Sequence, residues 1–400
     1  MMNICIVNLH ENNPYIGGVE RVSYELGHDW MKKGHNVFFL SQYKSTIKKS
    51  YQSLCKEFFL PNRDKADSTE NVEFFIKLLK ENNVDIILNQ GSVFIQLCEL
   101  CRLAKESTGI RVITTIHYAP LCKVTDVENS FFIEAKLGTN IRKWMIDIGL
   151  YLRYVLYKKQ ALLKTEKEEL KRVSTFSDAM VCLSSSFLST FQNLLGDSGT
   201  AQLIAIPNPI KQIEKSMVLK KQKSIIYVGR IEFGLKRIDR LIKIWAKTEH
   251  QFPDWEFRIV GDGGLRPFFE KMAYQMGLER IYFEGFKDPD RYYAESPIIC
   301  LSSSSEGFGM VLVEALRYQC IPIAYNSFSA LSDIVINNVN GYCIPAFKEK
   351  IFVKKLHHLM NNEDERNRLA SNHAMTLDKF AFDKISQRWL DLFEELINRR

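Results

Sequence analysis

The sequence predicts an α/β protein made of two doubly wound parallel-sheet domains. Three observations carry this reading. Short apolar runs alternate with longer helical patterns along the chain. The runs are continuously apolar, as strands covered by helices on both faces are. The alternation stops at Pro207-Asn208-Pro209, where two prolines end any regular element, and restarts beyond it. A chain of 400 residues with 46% apolar and 25% charged residues suits two or three globular domains. That composition excludes a disordered, low-complexity or collagen-like chain.

In order, the first domain is expected over 1–206. Its strands are read at 3–9, 36–40, 84–89, 111–117, 179–184 and 202–207, and helical patterns at 18–33, 71–82 and 93–106. Residues 207–222, which take in most of the charged stretch KQIEKSMVLKKQK, read as an interdomain connection. The second domain is expected over 223–376. Strands are read at 224–229, 255–261, 280–285, 298–302, 320–325 and 341–345. Helices are read near 236–248, 264–276, 309–318, 329–336 and 348–361. The tail, 377–400, is amphipathic, with Trp389, Leu390, Leu392, Phe393 and Leu396 on its apolar side.

No run reaches 18 uncharged apolar residues, so no membrane-spanning helix is expected. MMNICIVNLHENN lacks a basic region and reads as a first buried strand, not a signal peptide, which implies work in the cytoplasm. Nine scattered cysteines fit reduced core thiols. Only Cys98-x-x-Cys101 has ligand-like spacing, and no second pair lies nearby. The net charge of +7 is concentrated: between Lys136 and Arg172 ten basic residues face four acids. This stretch mixes Trp, Tyr, Leu and Ile with Arg and Lys, the pattern of a segment lying on an anionic membrane surface. A nucleic-acid partner is not expected, because the charge sits on one aromatic-rich segment and not along a basic groove.

In doubly wound sheets, ligands sit outside the carboxyl ends of the strands. Gly17-Gly18 follows the first strand and opens a helix, where backbone amides favour an anion. No G-x-G-x-x-G is present there, against a dinucleotide cofactor. Arg230 leaves the strand at 224–229, and Lys236 opens the next helix; together the two cations suit a diphosphate. Glu306 follows the strand at 298–302. Gly307-Phe308-Gly309 comes next, then a helix holding Glu314. Two acids beside an anion-binding helix start make sense as acceptors for sugar or ribose hydroxyls. Asp288-Pro-Asp290 has the form of a D-x-D metal motif but reads as a helix cap, and no metal site is expected.

Glu306 to Glu314 forms the E-x7-E pattern of retaining glycosyltransferases, and EGFGMVLVEAL around it resembles glycosyltransferase family 4. Arg230 and Lys236 fall where that family binds diphosphate. VGDGG at 260–264 resembles its post-strand glycine loop, IPNPI its interdomain connection, and Gly17-Gly18 its N-terminal glycine loop. The resemblance spans nearly the whole chain and is strongest over 224–345. It implies a GT-B fold: two Rossmann-like domains facing a central cleft, the first binding acceptor and the second donor, with the last helix crossing back to the first domain.

It further implies roles by position. Arg230 and Lys236 hold the diphosphate. Glu306 contacts donor-sugar hydroxyls, and the amides of Gly307, Phe308, Gly309, Met310 and Val311 help place sugar and phosphate. Glu314 binds ribose. His117 lies near the donor sugar, Gly17, Gly18, Gly261 and Gly263 line the nucleotide-sugar site, and the base lies near Tyr282–Phe286, on Phe286. The sequence departs from the family in two places: Lys236 is followed by Arg237 where glycine is usual, and Asn326–Ala330 replaces a glycine-rich segment. The implied activity is retaining transfer of a hexose or N-acetylhexosamine, with a UDP-sugar as the expected donor. The acceptor is a saccharide or lipid-linked glycan, as in bacterial surface polysaccharide or lipopolysaccharide synthesis. No cofactor or metal is required, and the location is peripheral on the inner face of the plasma membrane. The runner-up is a nucleotide-sugar epimerase of the same architecture.

Overall fold

The computed structural model describes residues 1–45, 51–124, 158–211, 220–232 and 234–399. The part of the basic stretch before residue 158 and residues 212–219 of the connection therefore lie outside the described residues. The chain divides into two compact units.

The first unit gathers Met1–Pro120, Thr165–Pro209 and Phe382–Arg400. Its strands are β1 (Asn3–His10), β2 (Asn36–Tyr43), β3 (Lys56–Phe59), β4 (Ile86–Asn89), β5 (Arg111–Ile116), β6 (Ala179–Cys182) and β7 (Gln202–Ala205). All pair in parallel, in the order β3-β2-β1-β4-β5-β6-β7. Six of these strands were readable as apolar runs. β3 was not, because KEFF is a four-residue edge strand with only two apolar side chains, and its leading lysine is a common edge residue. The helix Leu188–Leu195 was also missed: it is short and has no capping side chain.

The second unit, over Ile210–Ala381, holds β8 (Ser224–Val228), β9 (Glu256–Val260), β10 (Ile281–Gly285), β11 (Ile298–Leu301), β12 (Ile321–Asn326) and β13 (Tyr342–Pro345). Their order is β10-β9-β8-β11-β12-β13, again all parallel. Counted from β8, this is the 3-2-1-4-5-6 Rossmann order, with its switch point between β8 and β11. The helix read over 329–336 is only Leu331–Ile334. Asn340 ends it: its amide donates to Ile334 O and its carbonyl accepts Ile336 N–H.

The basic stretch does not belong wholly to the first unit. Described residues 158–164 group with the second, and Thr165–Arg172 with the first. The buried positions of the helix Lys159–Phe176 begin only at Glu166 and Leu170. The tail leaves the second unit at Ala381, later than the 377 boundary suggested. The helix His373–Lys379 stays anchored through His373, whose ring meets the carbonyls of Leu316 and Asn340. Ala381 bridges Ile210, so the outgoing and returning chains run side by side.

From Phe382 to Asn398 the chain forms a helix whose Ile385, Trp389, Leu390, Leu392, Phe393 and Leu396 enter the first unit's core with Ile4, Ile6, Trp30 and Ile86. Trp30 meets Phe393 edge-on at 5.1 Å and donates its indole N–H to Ser386 Oγ at 3.0 Å. Each such fully buried side chain is worth about 1.5–3 kcal/mol.

Candidate active site

In the second unit the expected residues converge on the carboxyl ends of β8, β9 and β11, where the strand order reverses. Lys236 and Glu306 meet directly. Lys236 Nζ lies 2.8 and 2.9 Å from the two Glu306 oxygens. Both side chains are mostly covered, so the attraction is screened less than at an open surface.

The loops carrying this pair are laced together. Ser303 Oγ donates to Glu306 Oε1 at 2.6 Å. Ser304 N–H donates to Leu235 O at 2.7 Å, and Ser302 Oγ donates to Arg237 O at 2.8 Å. Arg240 donates from one guanidinium nitrogen to Ser302 O and Ser304 Oγ, each at 3.1 Å. Its guanidinium is stacked 3.7 Å from the Phe347 ring centre. Burial lowers the Arg240 pKa to about 10, which leaves it charged at neutral pH. From the neighbouring segment Ser327 Oγ donates to Ser303 O. The serine run ahead of Glu306 is thus the mounting of that carboxylate. It was visible in the sequence as SSSS, but nothing there said that Arg240, four positions past Lys236, would hold it.

Arg237 explains one departure from the family pattern. Its backbone has φ 51° and ψ 46°, the left-handed conformation that glycine adopts without strain. The arginine tolerates it because its buried side chain makes a bidentate pair with Asp239, at 2.9 and 3.0 Å. That pair offsets a conformational cost of about 1–2 kcal/mol.

Arg230 is the exposed member, with its side chain 76% accessible and Glu232 at 3.5 Å. Its loop is shaped by the loop after β9. Gly229 N–H donates to Val260 O, and Ile231 N–H to Asp262 O. A Cβ on Gly261 would lie 1.9 Å from Gly229 O, and one on Gly263 would lie 2.3 Å from Ile231 O. Gly261 and Gly263 therefore permit the backbone-to-backbone packing that sets where Arg230 emerges.

Gly309, at φ +94°, is the N-cap of the helix Met310–Arg317, whose first amides have no carbonyl one turn back. Phe308 turns into the core against Phe380, with ring centres 5.3 Å apart, so its ring anchors the loop and only its backbone is left for a ligand. Glu314 is buried, and Tyr293 donates its hydroxyl to Glu314 Oε2 at 2.9 Å. Phe286, just past β10, is 75% exposed, open enough to stack on a planar ring. Asp288 Oδ1 accepts Asp290 N–H at 3.1 Å, a local cap. Among the described residues no group of three or more His, Cys, Asp or Glu could hold a metal ion.

The remaining expected residues belong to the first unit. Gly17 precedes the helix Gly18–Lys32, and the Glu20 carboxylate folds back over it: a Cβ on Gly17 would lie 2.6 Å from Glu20 Oε2. The helix start thus carries an acid of its own, while a Cβ on Gly18 would meet nothing within 4 Å. His117 follows β5. Its Nε2 donates to Gln90 Oε1 at 2.6 Å, and its Nδ1 has no partner. Burial lowers its pKa to about 4, so the ring is neutral at pH 7.

Two parallel-stranded sheets, one in Rossmann order with a Lys–Glu pair at its switch point, match the architecture of GT-B glycosyltransferases of solved structure. The Glycosyltransferase Family 4 model matches residues 16–211, and the Glycosyl transferases group 1 model matches residues 210–375. An uncharacterized glycosyltransferase of Haemophilus influenzae is 24% identical over 383 residues, covering 93% of this chain and 95% of that one. A Campylobacter jejuni enzyme is 24% identical over 278 residues, covering 68% of this chain and 76% of that one; it is an α-1,4-N-acetyl-D-galactosaminyltransferase acting on an undecaprenol-diphosphate-linked glycan. The solved structure of Anabaena HepE with UDP and glucose superposes with a TM-score of 0.73 at 15% identity, covering 99% of this chain and 100% of that one. This chain belongs to the GT-B glycosyltransferases of the family 4 type.

Proposed function

We propose that this protein transfers a hexose or N-acetylhexosamine from a UDP-sugar to a hydroxyl of a saccharide or lipid-linked acceptor, with retention at the anomeric carbon, in surface-glycan synthesis. The observation that carries the reading is the Lys236–Glu306 pair at the β8/β11 switch point, beside the N-terminus of the helix Met310–Arg317. In the reaction the bond from the anomeric carbon to the diphosphate oxygen breaks, and a bond to the acceptor oxygen forms on the same face. The acceptor proton passes to the leaving phosphate. Arg230, Lys236 and the helix amides oppose the charge growing on the diphosphate. Glu306 accepts hydrogen bonds from the donor-sugar hydroxyls, and Glu314 from the ribose. His117, neutral at pH 7, meets the sugar as a dipole. Support comes from the relatives: the Campylobacter enzyme transfers N-acetylgalactosamine to a lipid-linked glycan.

A thermal-shift panel tests the donor. Uridine diphosphate and its sugars should raise the melting temperature, since a ligand that binds only the folded state stabilises it. Stabilisation by guanosine or adenosine diphosphate alone would overturn the uridine assignment. Incubation without acceptor should leave the sugar of the donor unisomerised.

We place the acceptor side on an anionic membrane. Among the described residues no helix is long and apolar enough to cross a bilayer. The described part of the basic stretch exposes Lys158, Lys164, Lys167 and Arg172, and the neighbouring loop exposes Val93, Phe94 and Ile95. A small cavity lined by Val93, Ile95, Thr165 and Arg172, with Glu168 and Glu169 also on its wall, joins the two. Each basic residue near an anionic surface contributes about 1 kcal/mol, and salt screens it. Vesicles containing anionic lipid should therefore bind the protein at low salt and release it as salt rises. Absence of binding would leave a soluble acceptor.

A further inference from the structure

We infer that Tyr293 is a positioning residue for the donor site, holding the Glu314 carboxylate at the angle that meets the ribose, and that Lys221 and Tyr318 fix Tyr293 in turn. The inference rests on the proposed ribose role of Glu314.

The geometry runs as a chain of buried contacts. Tyr293 lies wholly buried in the helix Asp290–Glu295. Its hydroxyl reaches Glu314 Oε2 at 2.9 Å, on the helix Met310–Arg317. The tyrosine hydroxyl donates and the carboxylate oxygen accepts, and the bond sets the rotation of the carboxylate. The Tyr293 ring lies 5.9 Å from that of Tyr318 with planes 19° apart, so it cannot swing away. Its backbone is pinned as well. Lys221 Nζ donates to Tyr293 O at 2.9 Å, Ser296 O at 3.0 Å and Tyr318 O at 2.7 Å. An ammonium has three donors, and here three carbonyls take them. Burial lowers the Lys221 pKa, and the carbonyl cage is what makes the buried cation tolerable. Tyr318 and Ser296 are the residues that follow the two helices. One lysine at the end of the interdomain connection therefore ties both helix ends, and with them the two ends of the Tyr293–Glu314 bond. No sequence pattern marks Tyr293, and Lys221 looks like one more charge in a charged stretch.

The test uses Tyr293→Phe, which removes one oxygen and keeps the ring stack, alongside Glu314→Gln and the wild type. The ligands are uridine diphosphate and its 2′,3′-dideoxy analogue, or the guanosine or adenosine pair if one of those binds instead. Tyr293→Phe should raise the Kd for the ribonucleotide three- to tenfold and leave kcat within about twofold of wild type. For the dideoxy analogue, which offers no ribose hydroxyls, Tyr293→Phe and wild type should bind alike. Equal loss with both ligands would reduce Tyr293 to a structural role and overturn the inference. Wild-type affinity in Tyr293→Phe, with weakened binding in Glu314→Gln, would also overturn it while leaving the donor site as proposed. Unchanged ribonucleotide binding in Glu314→Gln would remove the ribose role itself, and this inference with it.

Discussion

Lys236→Ala should lower turnover by roughly 10²–10³-fold, the range for losing one preorganised electrostatic stabiliser of a leaving group. The lysine lies within 2.9 Å of both Glu306 oxygens, so its removal acts twice. On the proposed mechanism the departing diphosphate would lose a cation, and Glu306 would lose the partner that orients it toward the sugar. Ser303 Oγ still donates to Glu306, and the serine run remains tied to Arg240, so the loop should keep its shape. The measurement is steady-state kinetics with a donor excess, together with a melting curve. A melting temperature near wild type with kcat down a hundredfold or more is the expected pair of results. Near-normal turnover would remove Lys236 from the diphosphate site.

Gly261→Ala should cost about 3 kcal/mol or more of stability, through a mechanism unrelated to ligand contact. Two penalties coincide. At φ +139° the backbone lies where side chains are strained, and the added Cβ would sit 1.9 Å from Gly229 O. That oxygen belongs to the β8 loop, which can retreat only by giving up the bonds from Gly229 N–H to Val260 O and from Ile231 N–H to Asp262 O. Arg230 rides on that loop, so donor affinity should fall with stability. Gly264→Ala is the matched control, because its Cβ would meet nothing within 4 Å. Urea unfolding and nucleotide titration of both variants give the comparison. Equal stability of the two would show that the loop yields without cost.

Much of the architecture was legible because it depends on short-range pattern. Ile4 to Val7, Ile86 to Leu88 and Ile298 to Leu301 are unbroken apolar runs, and a strand buried on both faces needs nothing else to announce it. Trp389, Leu390, Phe393 and Leu396 repeat at helical spacing, which revealed an apolar stripe in need of a partner. Family likeness implied that the partner is the first domain, and the structure identified it as Trp30 and the surrounding core.

What the sequence by itself determined is the set of loops to inspect: Arg230, Lys236, Glu306 and Glu314 sit at strand ends and a helix start, and residue type and spacing are enough to find such places. What the tertiary structure alone decided is which groups act as partners within them. Lys236 could have faced Arg230, solvent or Glu306; the parallel pairing of β11 beside β8 at the switch point put it on Glu306. Gly261 and Gly263 were legible as a glycine loop, and the structure adds that a Cβ at either would strike the backbone of Gly229 or Ile231. Phe308 was read for its backbone amide alone, and the structure adds that its ring packs in the core against Phe380. Arg240, Tyr293 and Lys221 carried no signal because their contacts are hydrogen bonds to residues 62 to 64, 21 and 72 to 97 positions away, respectively. Such contacts have no period in sequence; they exist only once strands far apart in the chain have stacked into one sheet and fixed the distances between their ends.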